Sequence, residues 1–309
     1  MRILVTGGLG AVGAPLVKEL RRRGHKVWVC DLRHAEGPDY FRCDVSQFRQ
    51  LERLFNLNAF DYVYHLAAEF GRWNGEDYYE TLWNTNVIGT KNLIRLQEEL
   101  RFRMIFFSSS EVYGDYQGVM SEEVMDTRPI RQLNDYAITK WVNEQQIMNS
   151  AAQSGTETVR VRLFNTYGPG EYYSEYRSAI CRFIYRALKD QPYTVYLGHH
   201  RTSSYIDDTV RTLANIVENF KPGEAYNIGG TQYHDMKYVS DLILKYLGKS
   251  DDKVIYQESE PFTTADKRID TAKAARDLGH SPQVSLEEGI PRTIEWMRHI
   301  YQLEALVSE

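Results

Sequence analysis

Tyr136 and Lys140 stand four residues apart within Asn134–Asn143, a stretch with a helical pattern, so both side chains fall on one helix face. A phenol with a pKa near ~10 is no base at neutral pH. An ammonium ~4 Å away, at an effective dielectric of ~20, favours the phenolate by up to ~4 kcal/mol, roughly three pKa units. The pair is therefore a candidate for taking a proton from a hydroxyl. Upstream, Ser108-Ser109-Ser110-Glu111-Val112-Tyr113-Gly114 leaves the strand-like run Met104–Ser108. A serine hydroxyl there can hydrogen-bond an oxygen whose carbon is being oxidised, and Glu111 adds a carboxylate beside it. Oxidation also needs an electron acceptor.

The N-terminus supplies a place for one. Thr6-Gly7-Gly8-Leu9-Gly10-Ala11-Val12-Gly13 follows the first strand-like run directly and opens a helical stretch. Gly7 allows a tight turn, Gly10 lets a pyrophosphate approach the backbone, and Gly13 lets the helix pack close to the sheet. Asp31 ends the second strand about 20 residues on, where a carboxylate would accept from ribose hydroxyls and repel a 2′-phosphate. That favours NAD over NADP, with Arg33 nearby as a softening influence. Asp44, in Cys43-Asp44-Val45 after a short third strand, would either accept from an adenine amino group or cap the helix that begins at Gln47.

The elements that must hold these groups are legible as alternating patterns. Strand-like runs cover Ile3–Thr6, Lys26–Asp31, Tyr62–Leu66, Met104–Ser108 and Thr158–Phe164, and helical stretches cover Val12–Arg22, Gln47–Phe55, Tyr79–Leu100 and Tyr136–Ala152. Strands separated by helices imply βαβ units and a parallel sheet. Apolar runs such as Ile105-Phe106-Phe107 suit strands covered on both faces. The fold class expected is α/β: a Rossmann-type doubly wound parallel sheet with a smaller mixed α/β substrate-binding domain. The expected division is 1–168 plus about 204–230 for the nucleotide half. The substrate half takes about 169–203 plus 231–309, with a cleft between the two.

The 309 residues carry 37 basic and 42 acidic side chains, a formal charge of −5, so no basic face advertises a nucleic-acid partner. No apolar run approaches ~18 residues, and no signal peptide opens the chain, so no membrane partner is expected. The three cysteines are scattered and show neither metal spacing nor a disulfide framework, which points to a reducing, cytoplasmic setting and to no metal. His199 and His200 are adjacent, without an acidic ligand pattern beside them.

Together these residues resemble the extended short-chain dehydrogenase/reductases, in particular the NAD-dependent nucleotide-sugar epimerase/dehydratase branch. Gly7–Gly13 fits that family's T-G-G-x-G-x-x-G, and His65-Leu66-Ala67-Ala68 fits the end of its fourth strand. Asn84–Thr90 fits the helix supplying a tetrad asparagine, here Asn86, and Ser108–Gly114 fits S-S-x-x-V-Y-G, with Ser109 the catalytic hydroxyl. Arg162–Pro169 fits R-x-F-N-x-Y-G-P, and Asp270…Leu278-Gly279…Pro282…Leu286–Gly289 fits the C-terminal signature. The resemblance implies cofactor contacts from Gly7, Gly10, Ala11, Val12, Gly13, Asp31, Leu32, Asp44 and Val45. Further contacts would come from Leu66, Ala67, Ala68, Asn86, Tyr136 and Lys140. It implies a nucleoside-diphosphate sugar bound by Glu69, Ser110, Asn165, Arg177 and Arg201, the last two and Asn165 at the phosphates. A homodimer through Tyr79–Leu100 and Tyr136–Ala152, as a four-helix interface, follows from the same resemblance.

The shared chemistry it implies is oxidation at sugar C4: Tyr136 takes the hydroxyl proton, Ser109 holds the oxygen, Lys140 holds the nicotinamide ribose, and NAD takes the hydride. The catalytic set is then Ser109, Glu111, Tyr136 and Lys140. The 4,6-dehydratases and uronate decarboxylases of this branch carry T-D-E or T-S-E here, and Ser109-Ser110-Glu111 resembles the second pattern, so the reaction expected is one of these two, with Glu111 as base. Ser110 stands where the dehydratases carry a leaving-group acid. The alternatives are a 4-epimerase using the Ser-Tyr-Lys set alone and a non-catalytic NAD-binding sensor. Sensors of this kind tend to lose the tyrosine or the lysine, and both are present here.

Overall fold

The computed structural model describes residues 1–303. Its centre is a sheet of seven parallel strands. Five are labelled here: β1 (Arg2–Thr6), β2 (Lys26–Asp31), β3 (Tyr40–Arg42), β4 (Tyr62–His65) and β5 (Arg103–Ser109). The order across the sheet is Ala225–Ile228, Thr158–Leu163, β5, β4, β1, β2, β3. β1 pairs with β2 on one side and β4 on the other, Val5 lying opposite Val29 and Tyr64. The chain therefore winds outward in both directions from β1, and a crevice opens beyond the carboxyl ends of β1 and β4.

Alternation within the strands decides which helices they hold. Ile3 and Val5 face the helices Gly13–Arg22 and Ile206–Asn215 through Leu16, Leu20 and Leu213. Leu4 points to the other side, against Leu51 of Phe48–Leu57, Leu93 of Gly89–Leu100 and Ile147 of Asp135–Ser154. All these side chains are almost fully buried, each contributing about 1.5–3 kcal/mol relative to exposure. A separate apolar cluster joins Ile180 and Ile184 of Ala179–Leu188 to Ile243 of Met236–Leu247 and Ile290 and Ile294 of Leu286–Tyr301. Two-stranded pairs edge this part, among them Tyr193–Tyr196 with Val254–Gln257 and His200–Thr202 with Tyr233–Asp235.

Two buried polar links fix the parts that matter below. His65 bridges Thr6 (2.8 Å) and Thr90 (3.1 Å), tying β1, β4 and the following helix at the crevice, and burial holds its imidazole down at about 3, neutral. Glu144 accepts from Arg162 (2.8 Å) and from the Ser108 hydroxyl (2.5 Å), with its side chain fully buried. The helix carrying Tyr136 and the end of β5 are thus pinned to each other.

The long helix expected over Tyr79–Leu100 is present, with a π-helical turn inside it. Short helices Arg72–Asp77 and Tyr79–Trp83 lead into a π-helical turn, Asn84–Ile88, before Gly89–Leu100. The wider turn seats the Asn86 amide against the backbone of Glu69, accepting from its N–H (2.9 Å) and donating to its carbonyl (3.1 Å). No described helix is long and apolar enough to cross a membrane.

Candidate active site

A cavity of about 600 Å³ lies over the crevice, walled on one side by the ends of β1, β2, β4 and β5 and on the other by residues between Glu175 and Glu260. At its N-terminal end, Gly7 has φ +67°, and a Cβ there would stand 2.8 Å from the Ala67 nitrogen. A Cβ on Gly13 would lie 2.3 Å from the Gly7 carbonyl oxygen. Only glycine permits this turn, which leaves backbone N–H groups facing the cavity at the start of a helix. Gly10, Ala11, Val12, Leu32, Asp44, Val45, Leu66 and Ala68 share the wall. Asp31 accepts from the Leu9 N–H (3.0 Å) and the Arg33 N–H (3.1 Å), which fixes its carboxylate at the end of β2 facing the cradle. Asp44 accepts from the Ser46 N–H (2.9 Å), while Gln47 precedes the helix, so Asp44 closes a local turn rather than capping the helix. This glycine cradle with a carboxylate at its far end fits the adenosine diphosphate half of NAD.

One expected cofactor residue is elsewhere. Asn86 does not line the cavity: it is buried, its amide occupied by the Glu69 backbone and by the Thr139 hydroxyl (3.1 Å). Its place is behind the wall, holding Glu69, which does face the cavity with its carboxylate receiving Asn74 (3.0 Å).

Ser109, Ser110, Glu111, Tyr136 and Lys140 converge in the middle of the cavity. β5 ends at Ser109, whose hydroxyl accepts from the Glu111 N–H (3.2 Å) and starts a 3₁₀ turn, Ser110–Tyr113, that turns Glu111 inward. Asn134 caps the next helix through the Ala137 N–H (2.8 Å), placing Tyr136 in its first turn. The electrostatics differ from the expectation. Burial pushes the Tyr136 phenol up to about 12, the Ser109 hydroxyl easing it and Glu111 adding to it. Lys140 donates to the Phe107 carbonyl (2.8 Å) with its nitrogen 5.8 Å from the Tyr136 ring centre, and burial pulls it down to about 7. The lysine thus does not acidify the phenol by itself. Both groups are poised towards neutrality, and a positive charge brought in by the nicotinamide ring would favour the phenolate.

Glu111 is the centre of an ion cluster that the sequence alone does not reveal. It pairs with Lys267, and Arg72 stands 4.0 Å away. Burial works against its charge, yet Lys267, Arg72 and Arg201 hold the carboxyl down at about 2. The expected general base thus reaches the cavity already paired with two cations. Lys267 is itself drawn down by burial, to about 8, with Glu111 opposing. Arg72 also donates to Glu260 (2.9 Å), and Arg201 donates to the carbonyls of His200 (2.8 Å) and Ala265 (2.6 Å). Lys267 lies three residues before Asp270 in the C-terminal signature, which was the available signal for it; Arg72 and Glu260 sit in no pattern.

Asn165, Arg177 and Arg201 all reach the cavity wall, as does Arg182. Arg177 lies over the Phe70 ring (3.9 Å), and the Nε atoms of Arg177 and Arg182 are buried without partners. Arg177 precedes the helix Ala179–Leu188 and Arg182 lies in its first turn, which Ser178 caps. Two unpaired guanidinium donors beside a helix N-terminus make an anion-binding corner.

Comparison with known proteins agrees with this geometry. Residues 3–229 match the model of the "NAD dependent epimerase/dehydratase family". The chain belongs to that family. Among its relatives, UDP-glucuronic acid decarboxylase 1 of Xenopus tropicalis is 31% identical over 96% of this chain and 72% of the relative. UDP-N-acetyl-alpha-D-glucosaminuronate decarboxylase of Bacillus cytotoxicus is 30% identical over 97% and 98%. Among solved structures, UDP-glucuronic acid 4-epimerase from Bacillus cereus, in complex with UDP-glucuronic acid and NAD, superposes with a TM-score of 0.86 at 27% identity, covering 97% of this chain and all of that one. This family member is an NAD-dependent enzyme acting on nucleotide sugars.

Proposed function

We propose that the enzyme decarboxylates a nucleoside-diphosphate uronate after oxidation at C4. The observation that carries this reading is the state of Glu111: a carboxylate locked into a charged cluster two residues past Ser109, with Ser110 and not an acid between them. A 4,6-dehydratase needs a base for the C5 proton and an acid for the departing C6 hydroxyl. Ser110 is no acid, and the Glu111 carboxylate is occupied by Lys267 and Arg72. Decarboxylation needs neither, because a C4 ketone makes the C6 carboxylate a β-keto acid.

NAD, held by the Gly7–Gly13 cradle and Asp31, supplies reversible hydride acceptance. Tyr136 takes the C4 hydroxyl proton and then, as a neutral phenol, donates a hydrogen bond to the ketone oxygen. Ser109 donates to the same oxygen. As carbon dioxide leaves, the C5–C6 bonding pair moves into an enolate whose negative oxygen both donors stabilise, and C5 then takes a proton from water. Arg177 and Arg182 hold the diphosphate. The decarboxylase relatives support this reading over the 4-epimerase one, in which the mass of the sugar is unchanged. Mass spectrometry of the product from UDP-glucuronate tests it: loss of carbon dioxide is expected, whereas loss of water or an isomer of equal mass refutes it. We also infer a homodimer, supported by the exposed Ile88 and Leu100 on the helical segment beside the catalytic helix.

A further inference from the structure

Two hydrogen-bond donors in the cavity wall beside Glu111 have no partner. Arg72 spends Nη2 on Glu260 and turns Nε towards Glu111, but its Nη1 is buried and unpaired. His199 accepts from the Glu260 N–H through Nε2 (3.3 Å), so its proton sits on Nδ1, which is likewise buried and unpaired. Both residues line the cavity. A buried donor without an acceptor costs about 1–3 kcal/mol, and native proteins seldom leave one unless something else supplies the acceptor. Arg72, Arg201 and Lys267 stand around them against Glu111, Glu260 and Asp266, the last also turned to His200 (3.1 Å) and Tyr233.

We propose that Arg72 and His199 form the subsite that recognises the sugar's own carboxylate and so select uronates over neutral hexoses. The inference rests on the reading that C4 stands at Ser109 and Tyr136. A C6 group is attached one carbon beyond C4's neighbour, within a few ångströms of C4. Arg72 stands beside Glu111 (4.0 Å), two residues from Ser109, whereas the diphosphate corner belongs to Arg177 and Arg182. The Arg72 guanidinium and the His199 Nδ1–H donate to the carboxylate oxygens. Because the carboxylate departs as neutral carbon dioxide, Arg72 grips the bound substrate more strongly than the transition state, so it governs affinity more than turnover.

Calorimetric titration of the NAD-loaded enzyme with UDP-glucuronate, UDP-glucose and UDP tests this. Wild type is expected to bind the glucuronate tighter than the glucose. Arg72→Met is expected to weaken glucuronate binding about 10- to 100-fold, the range for lost bonds to a charged group, while UDP and UDP-glucose change less than about threefold. In turnover, KM should rise more than kcat falls. His199→Phe, which leaves the Arg72–Glu260 pair in place, should show the same selective loss to a smaller degree, and His199→Gln should restore part of it. The His199 variants decide the matter if Arg72→Met fails to fold. Equal weakening of all three ligands assigns the donors to the diphosphate and overturns the proposal, as does a wild type without preference for the glucuronate. A selective loss in an enzyme that shows no transient NADH absorbance with any sugar would keep the carboxylate subsite and refute the C4-oxidation reading.

Discussion

Lys140 makes the stability of the cofactor-free enzyme depend on pH in an unusual direction. The residue is 4% exposed, and burial lowers its pKa from an ordinary 10.5 to about 7. Between those values the unfolded chain holds a proton that the folded chain releases, so stability rises with pH across that window. With about 1.4 kcal/mol per pKa unit, the penalty is about 4 kcal/mol at pH 7 and about 2 kcal/mol at pH 9. Lys267, drawn down to about 8, adds a smaller rise of the same sign. Lys140→Met removes the penalty and loses the bond to the Phe107 carbonyl, worth about 1 kcal/mol. The variant should therefore be more stable than wild type by about 3 kcal/mol at pH 7 and by only about 1 kcal/mol at pH 9. Urea unfolding of both proteins, stripped of NAD, at pH 7, 8 and 9 measures this. Parallel curves for the two proteins across that range, or a variant less stable at pH 7, would show that Lys140 stays charged in the fold and that the cost assigned to its burial is wrong.

Two further outcomes are expected. Tyr136→Phe should lower turnover by at least about 10²–10⁴-fold, the worth of a positioned acid–base group, while NAD stays bound, as read by nucleotide absorbance after denaturation; retained activity removes Tyr136 from its role. Glu144→Leu leaves Arg162 buried without its carboxylate and should cost about 3–5 kcal/mol in urea unfolding, with Glu144→Leu/Arg162→Met recovering much of it; a double variant no better than the single one refutes the pairing argument.

The cofactor half was readable because its determinants are local. The glycine turn, the apolar strands and Asp31 are written in short stretches whose period and spacing follow from backbone geometry. The Tyr136–Lys140 pair was readable for the same reason, being one helical turn. The ion cluster was not. Glu111 and Lys267 are 156 residues apart in sequence and meet only because β5 ends, and the strand Arg268–Ile269 begins, beside one cavity. The charge state of each group also escaped the sequence: spacing predicted that Lys140 would acidify Tyr136, but burial dominates both groups. The π-helical turn within the expected helix over Tyr79–Leu100 shows the same limit, since it answers to the Glu69 backbone, 17 residues before Asn86.

That turn has an effect on how the cleft can move. By taking both backbone groups of Glu69, the Asn86 amide behaves as a short stretch of borrowed strand, and its second contact, Thr139, sits on the same helix as Tyr136 and Lys140. The segment that leads from Glu69 to Arg72 is therefore stitched to the proton-transfer helix rather than hanging free over the crevice. The backbone that leads to Arg72 and the helix that bears the phenol thus share one amide as their joint.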